Sequence, residues 1–510
     1  MSKSVLFMSL HKKFKGGIMA NDLMMVLQEL LKGVHSIEDL NNLKMLSAKK
    51  DEEFFTGVAA LDFPSKDDGF IFFDSAGKPK PDYDGLAKYL IETDKLKSSE
   101  SVIYIYKEGR YQSITNMYLQ YIINELIEEN SSPAKVQNYA RKALILSQTD
   151  FNTIREPKNL LNCRNGVLNV KTGELAPPTH KHFFKYRLKH RFDAEAECPH
   201  FMNSLNLVTN GDKDLQKLMQ QVFGYCIEGG SPVAQKAFLF FGDGGNGKST
   251  ILTALTSLIG KENVSHVPLN MFDKPFSMIS LDGKLANIVD ETPKKNINPE
   301  AFKNIVTGGY VRAAQKGKPE FDLKVHAKII FACNSLPKFG DSSDGLRRRL
   351  IIIPFLHKFS EELADKGIDD KIKKEMSGIM NWSIGGLKSL RANGYRFQQA
   401  KIVDQAVEVF KKETDSVYDF LSQTAKFMDG VNGMQKFTST TESFEIYLKF
   451  CRDSHNHPCS KNEFSRRSIT YYKDLYLKHG HKLESRHRIS RNGYKTVRGI
   501  KGIEIKYSNL

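Results

Sequence analysis

The sequence has few cysteines, no long apolar run and no secretion signal. Its six cysteines include no Cys-x-x-Cys pair, which excludes a dense disulfide framework and favours reduced thiols. No stretch approaches the roughly 18 to 20 apolar residues that a membrane helix needs. In residues 1–17 a short apolar run is followed by basic residues, unlike a signal peptide. These absences predict a cytoplasmic protein with no membrane partner.

One group of potential metal ligands consists of Cys451, His455, His457 and Cys459. Its spacing matches no common zinc pattern, and two ligands one residue apart strain a tetrahedral site. Zinc is therefore the less favoured interpretation of this group.

The positive charge is unevenly distributed. The chain carries a net charge of +16, and residues 451–510 hold 14 Lys or Arg against 5 Asp or Glu. A solvated basic surface would explain this composition, but its concentration in one terminal segment favours a face that binds nucleic-acid phosphates.

At 510 residues the chain is long enough for three or four domains. We predict a helical segment at 1–55, with an amphipathic helix at 20–34, and an α+β domain at 56–200. Apolar strands alternate with helices in the third domain, 201–425, which predicts a parallel α/β sheet between helical flanks. The basic domain at 430–510 completes the chain.

Shorter patterns predict individual elements. Strands at 102–106 and 111–114 flank a turn at 107–110, and a helix follows at 115–129. Further along, two strands flank a turn at 171–173, and residues 200–228 are predicted to be helical.

The clearest chemical pattern is a glycine-rich loop between an apolar strand, Ala237–Phe241, and an apolar-faced helix. Glycines allow backbone N–H groups and the helix amino terminus to face phosphates. Lys248 would reach the β- and γ-phosphates, and Ser249 would ligate Mg²⁺, so ATP and Mg²⁺ are the expected cofactors. The residues predicted to bind nucleotide are Gly242, Asp243, Gly244, Gly245, Asn246, Gly247, Lys248, Ser249 and Thr250.

Such a loop requires an acid for the metal and a group that positions water. The apolar run Leu285–Val289 ends in Asp290, suited to Mg²⁺, and Glu291, suited to polarising the attacking water. Another apolar strand ends in Asn334, which either orients the lytic water or caps the following turn.

Three arginines, Arg347, Arg348 and Arg349, precede the next apolar strand. An arginine presented to a neighbouring subunit's γ-phosphate would stabilise the transition state, and a finger of this kind requires a ring of subunits. A surface basic patch is the alternative.

Together these motifs resemble the superfamily 3 helicases, in the branch of poxvirus primase-helicases and phage or plasmid primases. The resemblance rests on the order GDGGNGKST, LANIVDET, KNIVTGG, KIIFACNSLPKF and GLRRRLIIIPF. It extends to NCRNGVLNVKTGEL before the motor and to the basic end segment. It implies an α/β fold with a P-loop AAA+-like ATPase core, preceded by an α+β domain and followed by a winged-helix domain.

The resemblance also implies residue roles. Lys248, Asp290, Glu291 and Asn334 match the family's catalytic motifs. Arg349 matches the arginine finger best, with Arg348 as the alternative. Two candidates remain because Arg347 stands where many relatives have a Trp before the arginine pair. A hairpin after Gly309 would project into the ring's pore, with Lys316 and Lys318 at its tip touching single-stranded DNA. No acidic metal triad resembling a primase site is evident, so priming activity is not expected.

In the end domain, Lys461–Tyr472 is predicted to be a recognition helix carrying Arg466 and Arg467. A wing hairpin is predicted at 486–498, with its turn at Asn492-Gly493 and with Arg488 and Arg491 on its first strand. A helix in the major groove and a basic wing on the backbone would dock origin duplex DNA.

The sequence therefore predicts an ATP-dependent DNA helicase and replication initiator that forms a ring, a hexamer by analogy. It would act in the cytoplasm of a bacterial host, on behalf of a phage or another mobile element. The alternatives are a P-loop motor for DNA packaging or loading, and a DNA-binding regulator with weak ATPase activity.

Overall fold

A computed structural model gives the fold of most of the chain beyond residue 69. It describes residues 70–73, 75, 78–99, 102–127, 131–151, 154, 157, 159–291, 297–316, 320–334, 344–359, 365, 367–428, 436–481, 483, 487–491 and 495–507. The predicted helical segment 1–55, including the helix at 20–34, lies outside these residues.

Strands occur throughout the described part of the chain. In chain order they are β1 (Ile71–Phe73), β2 (Pro79–Pro81), β3 (Lys97–Ser98), β4 (Ile103–Lys107), β5 (Arg110–Ile114), β6 (Leu160–Cys163), β7 (Gly166–Asn169), β8 (Leu175–Ala176), β9 (Ala237–Phe241), β10 (Val264–Ser265), β11 (Ala286–Val289), β12 (Tyr310–Ala313), β13 (Phe321–Lys324), β14 (Lys328–Cys333), β15 (Leu350–Pro354), β16 (Ala425–Phe427), β17 (Phe437–Ser439), β18 (His487–Arg491), β19 (Lys495–Lys501) and β20 (Ile503–Ile505).

Helices separate most of these strands. In chain order they are α1 (Tyr83–Glu92), α2 (Asn116–Ile127), α3 (Pro133–Leu146), α4 (Pro199–Val208), α5 (Lys213–Ile227), α6 (Lys248–Ile259), α7 (Pro275–Met278), α8 (Pro299–Val306), α9 (Asp344–Arg347), α10 (Ile368–Lys374), α11 (Met376–Ala392), α12 (Lys401–Thr414), α13 (Ser416–Thr424), α14 (Thr440–Asp453) and α15 (Lys461–Lys478). No helix in the described residues is both long and apolar enough to cross a membrane.

The chain divides into two units. The smaller unit comprises residues 1–85 and 122–136, and its described strands β1 and β2 pair in antiparallel fashion. The larger unit comprises residues 86–121 and 137–510 and contains every candidate site residue.

Two antiparallel sheets, β3-β4-β5 and β6-β7-β8, precede the parallel sheet in the larger unit. Lys107 pairs directly with Arg110, so the β4–β5 turn is tighter than the four-residue turn expected from sequence. Its two central residues, Glu108 and Gly109, both have positive φ, as a two-residue hairpin turn of this type requires. The predicted turn at 171–173 is present, and a further turn at Arg164-Asn165 was not predicted.

The parallel five-stranded sheet confirms the predicted α/β core. Its order is β10-β11-β14-β9-β15, and all four pairings are parallel. In β9, Phe238 and Phe240 belong to one hydrophobic cluster, whereas Ala237 and Leu239 belong to another. Because both faces of a covered parallel sheet are buried, its strands are apolar without alternation, which is why the sequence showed them clearly.

The chain ends in helices and short antiparallel sheets. Helices α14 and α15 pack through Tyr447 and Phe464, whose ring centroids lie 4.9 Å apart, and Phe420 of α13 contacts both. Strands β17, β19 and β18 form a three-stranded sheet, and β16 pairs with β20. Helix α15 extends to Lys478, beyond the predicted end at Tyr472, because Tyr472 and Tyr476 continue its buried stripe.

Candidate functional site

The glycine loop, Gly242–Ser249, joins β9 to α6 at the carboxyl edge of the parallel sheet. Gly247 has φ 81°, which favours glycine, and a Cβ there would lie 2.6 Å from Cγ1 of Val208. At Gly244 and Gly245, by contrast, a Cβ would meet no atom within 4 Å. The loop is therefore closely packed where α6 begins and open in its middle.

Lys248, the first residue of α6, is 7% exposed. Its Nζ donates to the carbonyl oxygens of Gly242 (2.6 Å) and Asp243 (2.7 Å) and to Oδ1 of Asn246 (2.9 Å). Burial lowers the pKa of this ammonium, and the nearby carboxylate of Asp290 opposes that shift. Lys248 thus lines the inside of the loop that the sequence predicts will hold phosphates.

Ser249 and Asp290, the two predicted magnesium ligands, are brought together by the fold. Ser249 Oγ lies 3.5 Å from Asp290 Oδ1, although 41 positions separate the two residues in sequence. Asp290 follows β11, and Glu291 follows Asp290. The side chains of Ser249, Asp290 and Glu291 are all exposed. A hydroxyl and carboxylates are oxygen ligands of the kind Mg²⁺ prefers.

Asn334 follows β14, which lies between the acid-bearing strand β11 and the loop strand β9. The register pairs Val289 with Phe331 and Cys333 with Phe241. Because parallel strands end at a common edge, Asn334 stands between the acids and the glycine loop. The strand placement expected from sequence is confirmed, while the part played by Asn334 in positioning water stays a prediction.

The segment Phe355–Phe359, for which no role was predicted, holds the glycine loop in place through three contacts. The carbonyl of Phe355 accepts from Nδ2 of Asn246 (2.9 Å), and the backbone N of Phe359 donates to the carbonyl of Gly245 (3.0 Å). The exposed side chains of Lys358 and Asp243 form an ion pair at 3.3 Å. More than 100 positions separate the glycine loop from Phe355–Phe359 in sequence, so no local signal could have identified these contacts.

The arginines lie at the opposite edge of the sheet. The carbonyl of Arg349 accepts from the backbone N of Ala237 (2.7 Å), at the amino end of β9. The Arg349 guanidinium donates to the carbonyl of Gly345, and its buried Nε has no partner among the described residues. Burial lowers the pKa of Arg349, and Arg348 adds to this shift. Arg348 itself is exposed, and Lys236 donates to its carbonyl.

The predicted hairpin after Gly309 is present as β12 and β13, which pair from Tyr310–Lys324 to Ala313–Phe321. Lys316 follows β12 and is exposed. Lys318 lies outside the described residues.

In α15 the two predicted DNA-contacting arginines differ in environment. The Arg466 side chain is 70% exposed and pairs with Glu463 at 2.7 Å. Arg467 is 24% exposed; it pairs with Glu463 at 2.7 Å and lies 3.5 Å from Asp415, the buried residue that caps α13. Arg467 therefore links α15 to the start of α13, a structural role that the sequence did not predict. The DNA contacts of both arginines stay predictions.

The predicted wing hairpin corresponds to β18 and β19. Arg488 pairs with Arg498 and Arg491 pairs with Lys495, while the predicted turn at Asn492-Gly493 lies outside the described residues.

In the part of the chain that the structure describes, no three His, Cys, Asp or Glu side chains form a group that could hold a metal ion. This includes Cys451 and its neighbours. The hydroxyl of Tyr447 accepts from the backbone N of Cys459 at 3.0 Å and lies 3.6 Å from its Sγ.

Two protein families match parts of the chain. Residues 87–210 match a family described as D5 N terminal like, and residues 240–349 match DUF5906, a family of unknown function. The first match contains most of the region that we predicted to precede the motor, and the second runs from the glycine loop to the arginines.

Several curated viral proteins are similar to the chain. A "Putative helicase" of Acanthamoeba polyphaga mimivirus is 21% identical over 354 residues, which cover 63% of this chain and 36% of that protein. A "Putative helicase" of Invertebrate iridescent virus 6 is 22% identical over 284 residues, or 46% of this chain and 28% of that protein. An uncoating factor of vaccinia virus (strain Western Reserve) is 25% identical over 219 residues, which cover 39% of this chain and 26% of that protein. The chain thus spans between 26% and 36% of the length of these relatives.

Among solved structures, the C-terminal region of NrS-1 is similar at 16% identity and a TM-score of 0.49, covering 83% of this chain and 100% of that one. The family and relative matches confirm the resemblance to the poxvirus-type primase-helicase branch of superfamily 3.

Proposed function

We propose that this chain, which is similar to the poxvirus-type primase-helicases of superfamily 3, is an ATP-hydrolysing DNA helicase and replication initiator. One observation carries the proposal. A glycine loop with an inward lysine lies beside a serine hydroxyl 3.5 Å from a carboxylate, at the carboxyl edge of a five-stranded parallel sheet. We assign the core to the P-loop AAA+ class on this arrangement.

The residues present suit a nucleotide with magnesium. The open middle of the loop, at Gly244 and Gly245, allows phosphate oxygens to approach backbone N–H groups without meeting a side chain. Lys248 can exchange its bonds to loop carbonyls for bonds to phosphate. Mg²⁺ held by Ser249 and Asp290 would neutralise charge on the phosphates.

The neighbouring polar residues would position water. Glu291 is exposed one residue beyond Asp290, where its carboxylate can accept a proton from the attacking water. Asn334, at the end of the strand between acid and loop, would hold that water by its amide.

The arginines support a ring of subunits, which we propose is a hexamer. Five residues of β15 separate Arg349 from the edge that holds the glycine loop, or about 16 Å at roughly 3.3 Å per residue. Neither Arg348 nor Arg349 can therefore reach the loop of its own chain. A neighbouring chain's loop is the partner we propose, and a finger in trans accelerates hydrolysis by about 10³–10⁵ in GTPases.

DNA would be bound at two places. Lys316 on the β12–β13 hairpin, together with Lys318, would touch single-stranded DNA in the pore. The end segment has the helix–helix–hairpin order of a winged helix, and we propose that Arg466 on α15, with Arg488 and Arg491 on β18, contacts origin duplex. Arg467 would act there mainly by orienting α15. That the protein works in the cytoplasm of a bacterial host stays a prediction.

The test is unwinding of a forked DNA duplex by the purified chain, with ATP and with a non-hydrolysable analogue. A helicase separates the strands only with ATP. Hydrolysis without strand separation would instead indicate a packaging or loading motor, and duplex binding without hydrolysis would indicate a DNA-binding regulator.

A further inference from the structure

A cavity lies apart from the glycine loop. It has a volume of about 550 Å³, within the range of small-molecule sites. Its walls come from the β4–β5 sheet, residues 149–151 and 154, Phe183 and Lys185, Ile279 and Asp282, and the β12–β13 hairpin. No described residue of the glycine loop lines it.

The cavity has an aromatic floor. Tyr104 meets Phe151 and Phe183 edge to face, with ring centroids 5.1 and 5.4 Å away. At the rim, Tyr310 is 54% exposed and has Nζ of Lys324 at 5.9 Å from its ring centre. A flat ligand could therefore lie against buried rings on one side and the exposed ring of Tyr310 on the other.

Polar groups on the floor provide both donors and an acceptor. Lys185 Nζ lies 3.1 Å from Asp282 Oδ1 and 5.0 Å from the ring centre of Tyr104. Burial, with Asp282 close by, raises the pKa of Tyr104 to about 12, so its hydroxyl stays a donor. Burial lowers the pKa of Lys185, but Asp282 and the Tyr104 hydroxyl together raise it by more, so the Lys185 ammonium stays charged beside Asp282.

This chemistry suits a nucleobase better than a bare phosphate. Because Asp282 neutralises Lys185, the floor has little net attraction for an anion. A base has flat faces for the rings and an edge that carries donors and acceptors. Stacking on aromatic side chains contributes about 1–3 kcal/mol per base in single-strand binding.

The cavity adjoins surfaces that an unpaired strand would use. Gln315, which precedes Lys316, lines the cavity, as do Phe321 and Lys324 of β13. Thr115 lines it as well, and α2 begins at the next residue. On the first turns of α2 the exposed rings of Tyr118 and Tyr121 stack with centroids 6.1 Å apart.

We propose that this cavity binds one nucleobase of an unpaired DNA strand held at the β12–β13 hairpin. The inference rests on the proposed function for the strand as the source of the base. A free nucleotide would offer the same chemistry, and the experiment separates the two sources.

The test compares binding of an oligothymidylate with binding of an abasic oligomer of equal length, which carries the same phosphates. The intact chain should bind the base-containing strand about tenfold more tightly, as one stacked base contributes. Ser113→Trp should abolish that preference, since Ser113 lines the cavity opposite Tyr104 on β4. Tyr310→Ala, on the other wall, should abolish it too.

Gln112→Trp is the matched control. Gln112 is the neighbour of Ser113 on β5 but pairs with Ile105 on the other face of the sheet, so this variant should keep the preference. Equal binding of the two oligomers by the intact chain, or a preference that survives in both cavity variants, would overturn the proposal. Deoxythymidine monophosphate that binds as tightly as the oligonucleotide would overturn the strand as the source.

Hydrolysis and unwinding assays on the same samples keep the two proposals distinct. If the intact chain unwinds DNA without any base preference, only the cavity assignment fails. If a base preference disappears in Ser113→Trp while no hydrolysis occurs, the cavity assignment stands and the helicase proposal fails.

Discussion

Gly224→Ala should destabilise the protein, because α5 and α11 approach each other backbone to backbone at this position. A Cβ on Gly224 would lie 2.5 Å from the carbonyl oxygen of Ser383 and 2.9 Å from Cα of Leu387. A Cβ at Gly386, on the facing helix, would collide with the carbonyl of Gln220. The obstructing atoms are main-chain atoms of helices, so they cannot rotate away.

The magnitude follows from two opposed effects. Overpacking of a close-packed interior costs about 1–3 kcal/mol, and more where backbone must shift. Replacing glycine by alanine within a helix returns up to about 1 kcal/mol. We therefore expect a net loss of about 2 kcal/mol or more for Gly224→Ala.

Gly385→Ala provides the matched control on the same helix pair. The nearest atom to its Cβ would be Nε2 of Gln220 at 3.2 Å, the end of a side chain that donates to the carbonyl of Trp382 (2.9 Å) and needs to shift by only a few tenths of an ångström. With little overpacking, the helix propensity dominates, and this variant should gain up to about 1 kcal/mol.

Trp382 provides a fluorescence signal from the contact between α5 and α11. It is the only tryptophan in the chain, and its ring lies 5.0 Å from Phe201 and 5.4 Å from Phe223, next to Gly224. Urea unfolding followed by tryptophan fluorescence should show a lower midpoint for Gly224→Ala and an equal or higher one for Gly385→Ala. Midpoints that shift by the same amount in the same direction would refute the close helix crossing.

Four further predictions concern the site and its supports. Lys248→Ala should abolish ATP hydrolysis and unwinding while leaving duplex binding intact, and normal turnover in that variant would exclude the motor. Arg349→Ala should lose hydrolysis but recover part of it when mixed with Lys248→Ala protein; a mixture inactive at every ratio would argue against a finger in trans. Arg466→Ala should weaken duplex binding without changing thermal stability, whereas Arg467→Ala should lower stability by about 1–3 kcal/mol, because it removes the ion pair that links α15 to the cap of α13; equal stability of the two variants would contradict the assigned roles. Glu375 accepts from the backbone N of His200 (3.0 Å) and Phe201 (2.9 Å), and its Oε1 lies 2.6 Å from Nδ1 of His200. Burial raises the pKa of Glu375, but these bonds and the His200 ring together lower it by more, below the ordinary 4.5. Because the pKa of Glu375 is lowered in the folded state, its carboxylate stabilises the fold above about pH 4.5, and this stabilisation is lost as pH falls through the folded-state pKa. Glu375→Gln should therefore lower the free energy of unfolding, measured with urea, by about 1–2 kcal/mol at pH 7 and by much less near pH 3.

The sequence by itself determined the elements whose signals are local. The strand Ala237–Phe241, the glycine loop and the start of α6 follow from a buried apolar run, a cluster of glycines and a helical stripe within one short segment. The acids after β11 were also visible, because a strand end depends on neighbouring residues, whereas the hairpin at β12–β13 was implied by the family resemblance. These signals were enough to predict the α/β core and to identify its resemblance to the superfamily 3 helicases.

Tertiary structure alone decided what depends on distant partners. The contacts of Phe355 and Phe359 with the glycine loop, and the pairing of Arg467 with Asp415, join residues that no periodicity or spacing connects. The sheet order placed the arginines a strand's length from their own loop. The Tyr104 cavity likewise exists only where separate segments meet. Packing between remote segments is set by shape and burial across the whole fold, and for this reason a local reading of the chain could not supply it.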